Sequence, residues 1–220
     1  MLARILEAVH DAVALVLPVA CTGCGAPDRS VCGQCRSRLV PEPRSRVLED
    51  GTTIVSALRY EGVVRQCIIG LKENGRTDAA RYLAPALAAA AEAALLANPQ
   101  GDSLVLVCAV PSRRASFGAR GYSPVSLLCR LGLGIRPRAV LAQRDGRVSQ
   151  KSLGREGRTY NADGAFAAVA DVAGRRVMIV DDVVTTGATI LDAARAIREA
   201  GGYVIAAAVV ADTPLMREVG

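Results

Sequence analysis

The chain has 220 residues, room for one full core plus a small appendage, and carries a net charge of +6 that suits an anionic ligand such as a polyphosphate or nucleic acid. Aromatic residues make up 3% and Trp is absent, which argues against the stacking platforms of single-strand nucleic-acid binders. No apolar run is long enough to span a bilayer, so stable membrane insertion is not expected.

Residues 1–17 look at first like a secretory leader, but Arg4, Glu7 and Asp11 share one helical face. Leu2, Ile5, Leu6, Val9, Val13 and Val16 take the other. The segment reads as an amphipathic helix docked on the body, with His10 at the polar face in a structural or solvated role. A cytoplasmic protein is expected.

Next come Cys21-Thr22-Gly23-Cys24 and Cys32-Gly33-Gln34-Cys35, two Cys-x-x-Cys knuckles seven residues apart. Each offers two thiolates from one tight turn, and together they complete a closed tetrahedral S4 site for a structural Zn²⁺. Two redox disulfides are the alternative, although neither pair lies in a thioredoxin-like βαβ unit. Residues 26–31 are too few and too polar to hold a core, so bound metal would supply folding energy. Pro41-Glu42-Pro43 reads as a linker, which divides the chain into an appendage, 1–43, and a main domain, 44–220. Cys67, Cys108 and Cys129 sit in apolar surroundings and read as buried, inert thiols of a reducing compartment.

The main domain alternates strand and helix. A strand is expected at 53–60, a helix at 63–71 leading to Lys72, and an Ala-rich helix at 79–97 stopped by Asn98-Pro99. A buried strand at 104–110 runs into a basic loop containing Arg113, Arg114, Gly118, Arg120 and Gly121. Arginine forks and close backbone approach at a strand's carboxyl end suit pyrophosphate. Ser123-Pro124 then supplies an N-cap and a first-turn proline for a helix to about residue 131. A third strand at 139–143 precedes a long basic segment, 144–161, read as a lid that excludes water. A strand follows at 165–169.

The most informative stretch comes next. Residues 177–180 are β-branched and apolar, as in a central parallel strand covered on both faces. Asp181 and Asp182 follow at its carboxyl end, where α/β sheets bind ligands. Carboxylates only accept hydrogen bonds, so the pair can take both vicinal hydroxyls of a ribose. Thr185, Thr186 and Gly187 then form a turn whose amides make an anion nest at the start of a helix. A sugar grip beside a phosphate cradle fits a ribose 5-phosphate. No Walker A or G-x-G-x-x-G sequence occurs, so ordinary ATPase and dinucleotide readings lack support.

This stretch resembles the phosphoribosyl-pyrophosphate (PRPP) loop of type I phosphoribosyltransferases. The whole order is similar to the ComF family: the amphipathic helix, Pro18 with the four cysteines, Leu71-Lys72, Val110-Pro111, Arg120-Gly121-Tyr122, Gln150, Leu153, Arg158, Asn161, Phe166 and the acid-pair turn. The resemblance implies an α/β, mostly parallel sheet flanked by helices, with a zinc-ribbon-like module in front. It implies that Asp181 and Asp182 hold the ribose hydroxyls, and that Val183, Val184, Thr185, Thr186, Gly187, Ala188 and Thr189 surround the 5-phosphate. Arg113, Arg114 and Arg120 would take the pyrophosphate, with Lys72 and Arg158 completing the site and Mg²⁺ bridging substrate oxygens. Asp181, Asp182, Arg114 and Arg120 would be the catalytic set. The resemblance also implies a link to bacterial DNA uptake, with single-stranded DNA or DNA-uptake proteins as partners. A non-catalytic PRPP sensor or scaffold is the competing expectation. Two positions depart from the family pattern: Ser123-Pro124 stands where Asn and often Gln are usual, and Gly157 replaces a frequent charged residue beside Arg158.

Overall fold

The computed structural model describes residues 19–27, 29–99, 104–111, 121–144 and 164–213. The amphipathic segment and His10 lie outside them. A short helix, α1 (Gly33–Arg36), closes the cysteine segment. It is followed by β1 (Arg44–Val47), β2 (Thr53–Arg59), α2 (Gly62–Glu73) and a 3-10 turn (Thr77–Ala79) that runs into α3 (Ala80–Leu96). Then come β3 (Val105–Ala109), α4 (Pro124–Gly132), β4 (Leu141–Gln143), β5 (Phe166–Ala168), β6 (Arg176–Val184), α5 (Ala188–Glu199) and β7 (Tyr203–Asp212).

Five strands form one sheet in the order β1-β2-β7-β6-β3. β2, β7, β6 and β3 are mutually parallel, and β1 is an antiparallel edge. The expected α/β architecture, a mostly parallel sheet flanked by helices, is the one observed. Parallel strands need cover on both faces, and β6 receives it. Met178 and Val180 share a core with α2, α3 and α4, while Val177 and Ile179 share another with Ile190, Ala193 and Ile197 of α5.

α3 buries Leu83, Ala84, Leu87, Ala90, Ala91 and Ala94, a stripe at helical spacing. Its small side chains let neighbours approach closely: a Cβ on Gly132 of α4 would stand 2.5 Å from the Ala84 carbonyl oxygen. Among the described residues, Thr77–Leu96 alone is long and apolar enough to cross a membrane by length and composition, and half of it is buried inside the fold.

Several elements differ from the sequence expectation. The central strand does not stop at Val180. It stays paired with β7 through Asp181↔Val209, Val183↔Ala211 and Val184↔Asp212, because acidic side chains do not interrupt a backbone ladder. The third strand is shorter and leaves the main sheet, pairing antiparallel with β5 in a sheet of two. A bridge from Arg138 to Cys108 ties its approach to β3. β7, the strand between β2 and β6, is an addition; its signal is the apolar run that follows Gly201-Gly202.

The cysteine segment is seated in the main core. Cys21, Val31, Cys35 and Leu39 join one cluster with Val64, Cys67, Ile68 and Leu71 of α2. Arg76 reinforces the join, donating to the Ala20 carbonyl at 2.8 Å while its guanidinium clasps Asp78 at 3.0 and 2.9 Å. A segment too small for its own core has borrowed one. The expected linker is already ordered against the sheet, with Glu42 N donating to the Ala57 carbonyl at 2.8 Å.

Candidate functional site

β6 delivers Asp181 and Asp182 toward the carboxyl edge of the sheet, two residues short of the turn Thr185-Thr186-Gly187 that opens α5. Gly187 has φ of 95°, and an added Cβ would lie 2.7 Å from a methyl of Leu48. Both the left-handed backbone and the close approach demand glycine there. Thr186 Oγ1 accepts from Ala188 N at 3.3 Å. Thr185, Thr186, Ala188 and Thr189 are exposed, Val183 is half-buried and Val184 is buried. The first amides of α5 lack intrahelical acceptors, and the helix dipole places its positive end at the same spot.

Asp182 is only 5% exposed. Its Oδ1 is held by Lys72 Nζ at 2.7 Å, from the last turn of α2. Burial alone would lower the Lys72 pKa, but the charge and hydrogen bond of Asp182 outweigh it and raise it above the ordinary lysine value. Asp181 Oδ1 accepts from Asp182 N at 2.8 Å. Burial, then the adjacent Asp182 charge, push the Asp181 carboxyl well above the usual range, against the opposing pull of Lys72.

That shift makes a testable statement about stability. A carboxyl whose pKa is raised on folding contributes stability that is fully present below its unfolded pKa and lost as pH rises through its folded pKa. At neutral pH, above its unfolded pKa, Asp181 is therefore a cost to the fold. Asp181→Asn should stabilise the ligand-free chain at pH 7 by about 1 kcal/mol, as commonly follows relief of a destabilised functional group. The gain should fade as pH drops through the raised pKa toward the ordinary carboxyl value. Thermal melts over a pH series check both the sign and the window.

Of the other expected site residues, Arg113, Arg114, Arg120 and Arg158 lie outside the described residues. Tyr122, at the end of the basic loop, donates its hydroxyl hydrogen to the Leu71 carbonyl beside Lys72. Ser123 caps α4 as expected, its Oγ accepting from Ser126 N at 3.2 Å with Pro124 at the first helical position. The sequence reading missed two contributors to the turn. Arg46 of β1 donates to the Thr185 carbonyl at 2.9 Å, and Thr213 N donates to the Val184 carbonyl at 2.9 Å. No local pattern marks either residue, because both reach the turn through sheet pairing.

The four knuckle cysteines converge, with all Sγ atoms within 4.8 Å of one another and Cys24 and Cys32 at 3.7 Å. A tetrahedron with Zn–S of about 2.3 Å places its sulfurs about 3.8 Å apart, so the set fits zinc. Burial opposes ionisation of Cys21, but backbone amides, led by that of Cys32 at 3.2 Å, bring its thiol down to about 6. Burial and the neighbouring sulfurs hold Cys35 well above the usual thiol range. Four sulfurs this close cannot all ionise without a cation among them. Cys67, Cys108 and Cys129 are wholly buried, and burial raises them to about 11, 11 and 12, as befits inert thiols. At the acid pair the donors are carboxylate oxygens, which suit Mg²⁺, but Lys72 already occupies Asp182 Oδ1. A magnesium ion there would need substrate oxygens to complete its shell.

The phosphoribosyl transferase domain family matches residues 138–218. The adenine phosphoribosyltransferase of Mycolicibacterium smegmatis is 33% identical over 135 residues, 56% of this chain and 71% of that protein. An orotate phosphoribosyltransferase of Methanopyrus kandleri is 57% identical over 44 residues, 20% of this chain and 24% of that protein. The transcriptional regulator GfcR of Methanococcoides burtonii is 54% identical over 43 residues, 20% of this chain and 21% of that protein. The chain thus spans about a quarter of the orotate relative's length. Identity carried over 71% of the adenine relative joins a strand, acid pair, glycine turn and helix in one order, and the chain belongs to the phosphoribosyltransferase family.

Proposed function

We propose that the chain binds PRPP and transfers its phosphoribosyl group to an acceptor with release of pyrophosphate. The observation that carries this reading is the acid pair of β6, braced by Lys72 and set just before the glycine turn that opens α5. Asp181 and Asp182 accept the ribose hydroxyls. The amides and hydroxyls of Thr185, Thr186, Gly187, Ala188 and Thr189 hold the 5-phosphate, and Val183 and Val184 set the turn's approach. A nucleophile on the acceptor forms a bond to C1 as the C1–O bond to pyrophosphate breaks, and the electron pair leaves with pyrophosphate. Arg113, Arg114, Arg120 and Arg158 are the residues assigned to neutralise that leaving group. Mg²⁺, when bound, supplies further charge compensation on the pyrophosphate. Cys21, Cys24, Cys32 and Cys35 hold a structural Zn²⁺. The resemblance to the ComF family assigns the activity to DNA uptake in the cytoplasm, with single-stranded DNA or uptake proteins as partners.

A second reading keeps PRPP binding without turnover, the chain acting as a sensor or scaffold. It is favoured by the match to a relative named as a transcriptional regulator. Calorimetry with PRPP, followed by pyrophosphate release against a panel of bases, amines and nucleic acids, separates the two. Mg²⁺-dependent binding with acceptor-dependent release is the expected result. Binding without release supports the sensor, and no binding by the zinc-loaded protein removes both.

A further inference from the structure

The β1–β2 hairpin meets the phosphate turn from 139 residues away in sequence. Arg46 Nη2 donates to the Thr185 carbonyl at 2.9 Å, and on the adjoining peptide Thr213 N donates to the Val184 carbonyl at 2.9 Å. Both peptides are trans, so each N–H points opposite to its own carbonyl. Fixing two consecutive carbonyls against the protein turns the amides of Thr185 and Thr186 the other way, on a turn whose side chains are exposed. That is how an anion nest is aimed.

The hairpin is itself held firmly. Leu48, two residues beyond Arg46, fills the space against Gly187. Arg198 of α5 donates to Asp50 and, at 2.9 Å, to Thr52 Oγ1. Arg46 Nε is buried and has no partner among the described residues. A guanidinium kept there with a donor unspent is more than packing requires, since buried polar atoms are ordinarily satisfied.

We infer that Arg46 is a positioning residue for the 5-phosphate: it locks the Thr185 carbonyl so that the turn's amides face the ligand. This rests on the PRPP reading above. The assignment gives the family's turn an external brace in this chain, on an edge strand that carries no phosphate motif of its own.

The test uses the full-length, zinc-loaded protein and its Arg46→Met and Arg46→Lys variants, titrated calorimetrically with ribose 5-phosphate and with inorganic pyrophosphate. Arg46→Met should weaken ribose 5-phosphate roughly tenfold or more, the scale of a lost charged hydrogen bond, and leave pyrophosphate within about twofold. Arg46→Lys, whose ammonium can still reach one carbonyl, should recover most of that loss. Unchanged ribose 5-phosphate affinity in a folded Arg46→Met variant, or equal weakening of both ligands, overturns the inference. If Arg46→Met melts before titration, Arg46→Gln, whose shorter side chain cannot reach the Thr185 carbonyl, decides by the same comparison of the two ligands. Failure of the unsubstituted protein to bind PRPP or ribose 5-phosphate would instead sink the PRPP reading itself, and this inference with it.

Discussion

Asp182→Asn should lower PRPP affinity roughly a hundredfold and destabilise the ligand-free chain by about 2 kcal/mol. Two roles meet in that carboxylate. It is buried beside the sheet edge with Lys72 Nζ at 2.7 Å, and on the proposed reading its remaining lone pairs accept from a sugar hydroxyl. Asparagine keeps one acceptor oxygen and adds an amide that repels both the ammonium and any donating hydroxyl. The binding loss is that of a charge-assisted hydrogen bond near the top of its range. The stability loss stays below that of a fully buried broken pair because the Lys72 side chain is 34% exposed and water can take over part of its solvation. A double-mutant cycle makes the argument sharper. Lys72→Met alone leaves the buried Asp182 without its cationic partner, so the double variant Lys72→Met/Asp182→Asn should be less destabilised than the two single losses summed. Urea unfolding reads the stability term and calorimetry the affinity. An Asp182→Asn protein that binds PRPP as tightly as the parent would end the sugar-grip assignment.

The parts of this site legible from sequence are those set by neighbouring residues. The buried strand, the acid pair, the glycine turn and the Ser123 cap each depend on residues within one or two turns, and each is where the sequence places it. The four cysteines belong with them, since a Cys-x-x-Cys turn brings its two sulfurs close by local geometry. What the sequence hides is pairing at a distance. The apolar run of β7 carries no label of its place between β2 and β6, although that place keeps Asp181 to Val184 within the ladder. Lys72 stands out only through a family resemblance. Nothing around it says that the last turn of α2 will lie over Asp182. Arg46 sits in a short, exposed edge strand whose alternation reads as solvated, and its tie to Thr185 depends on the fold of the entire hairpin.

Removing metal from the cysteine cluster should lower PRPP affinity even though no cysteine reaches the ligand. Cys21 and Cys35 share their core with Cys67, Ile68 and Leu71 of α2, and α2 ends by presenting Lys72 to Asp182. Tyr122 donates to the Leu71 carbonyl at the same helix end. Loosening the cysteine segment therefore frees α2 and the Tyr122 contact together. Structural zinc contributes about 10–16 kcal/mol to isolated zinc-finger peptides. Here the cysteine segment rests on the larger core of the main domain, so a smaller loss is expected, several kcal/mol and a fall in Tm of about 10 °C. A strong chelator should produce that fall, weaken PRPP binding and raise amide exchange across 62–73, and added Zn²⁺ should reverse all three. Cys35→Ser should behave like the chelated protein, whereas Cys129→Ser, remote from the cluster, should keep its metal. Native mass spectrometry distinguishes the disulfide alternative directly: two disulfides leave the chain four hydrogens lighter and metal-free. That mass, or a chelator with no effect on melting, would show that the four sulfurs hold no ion and that α2 is positioned without one.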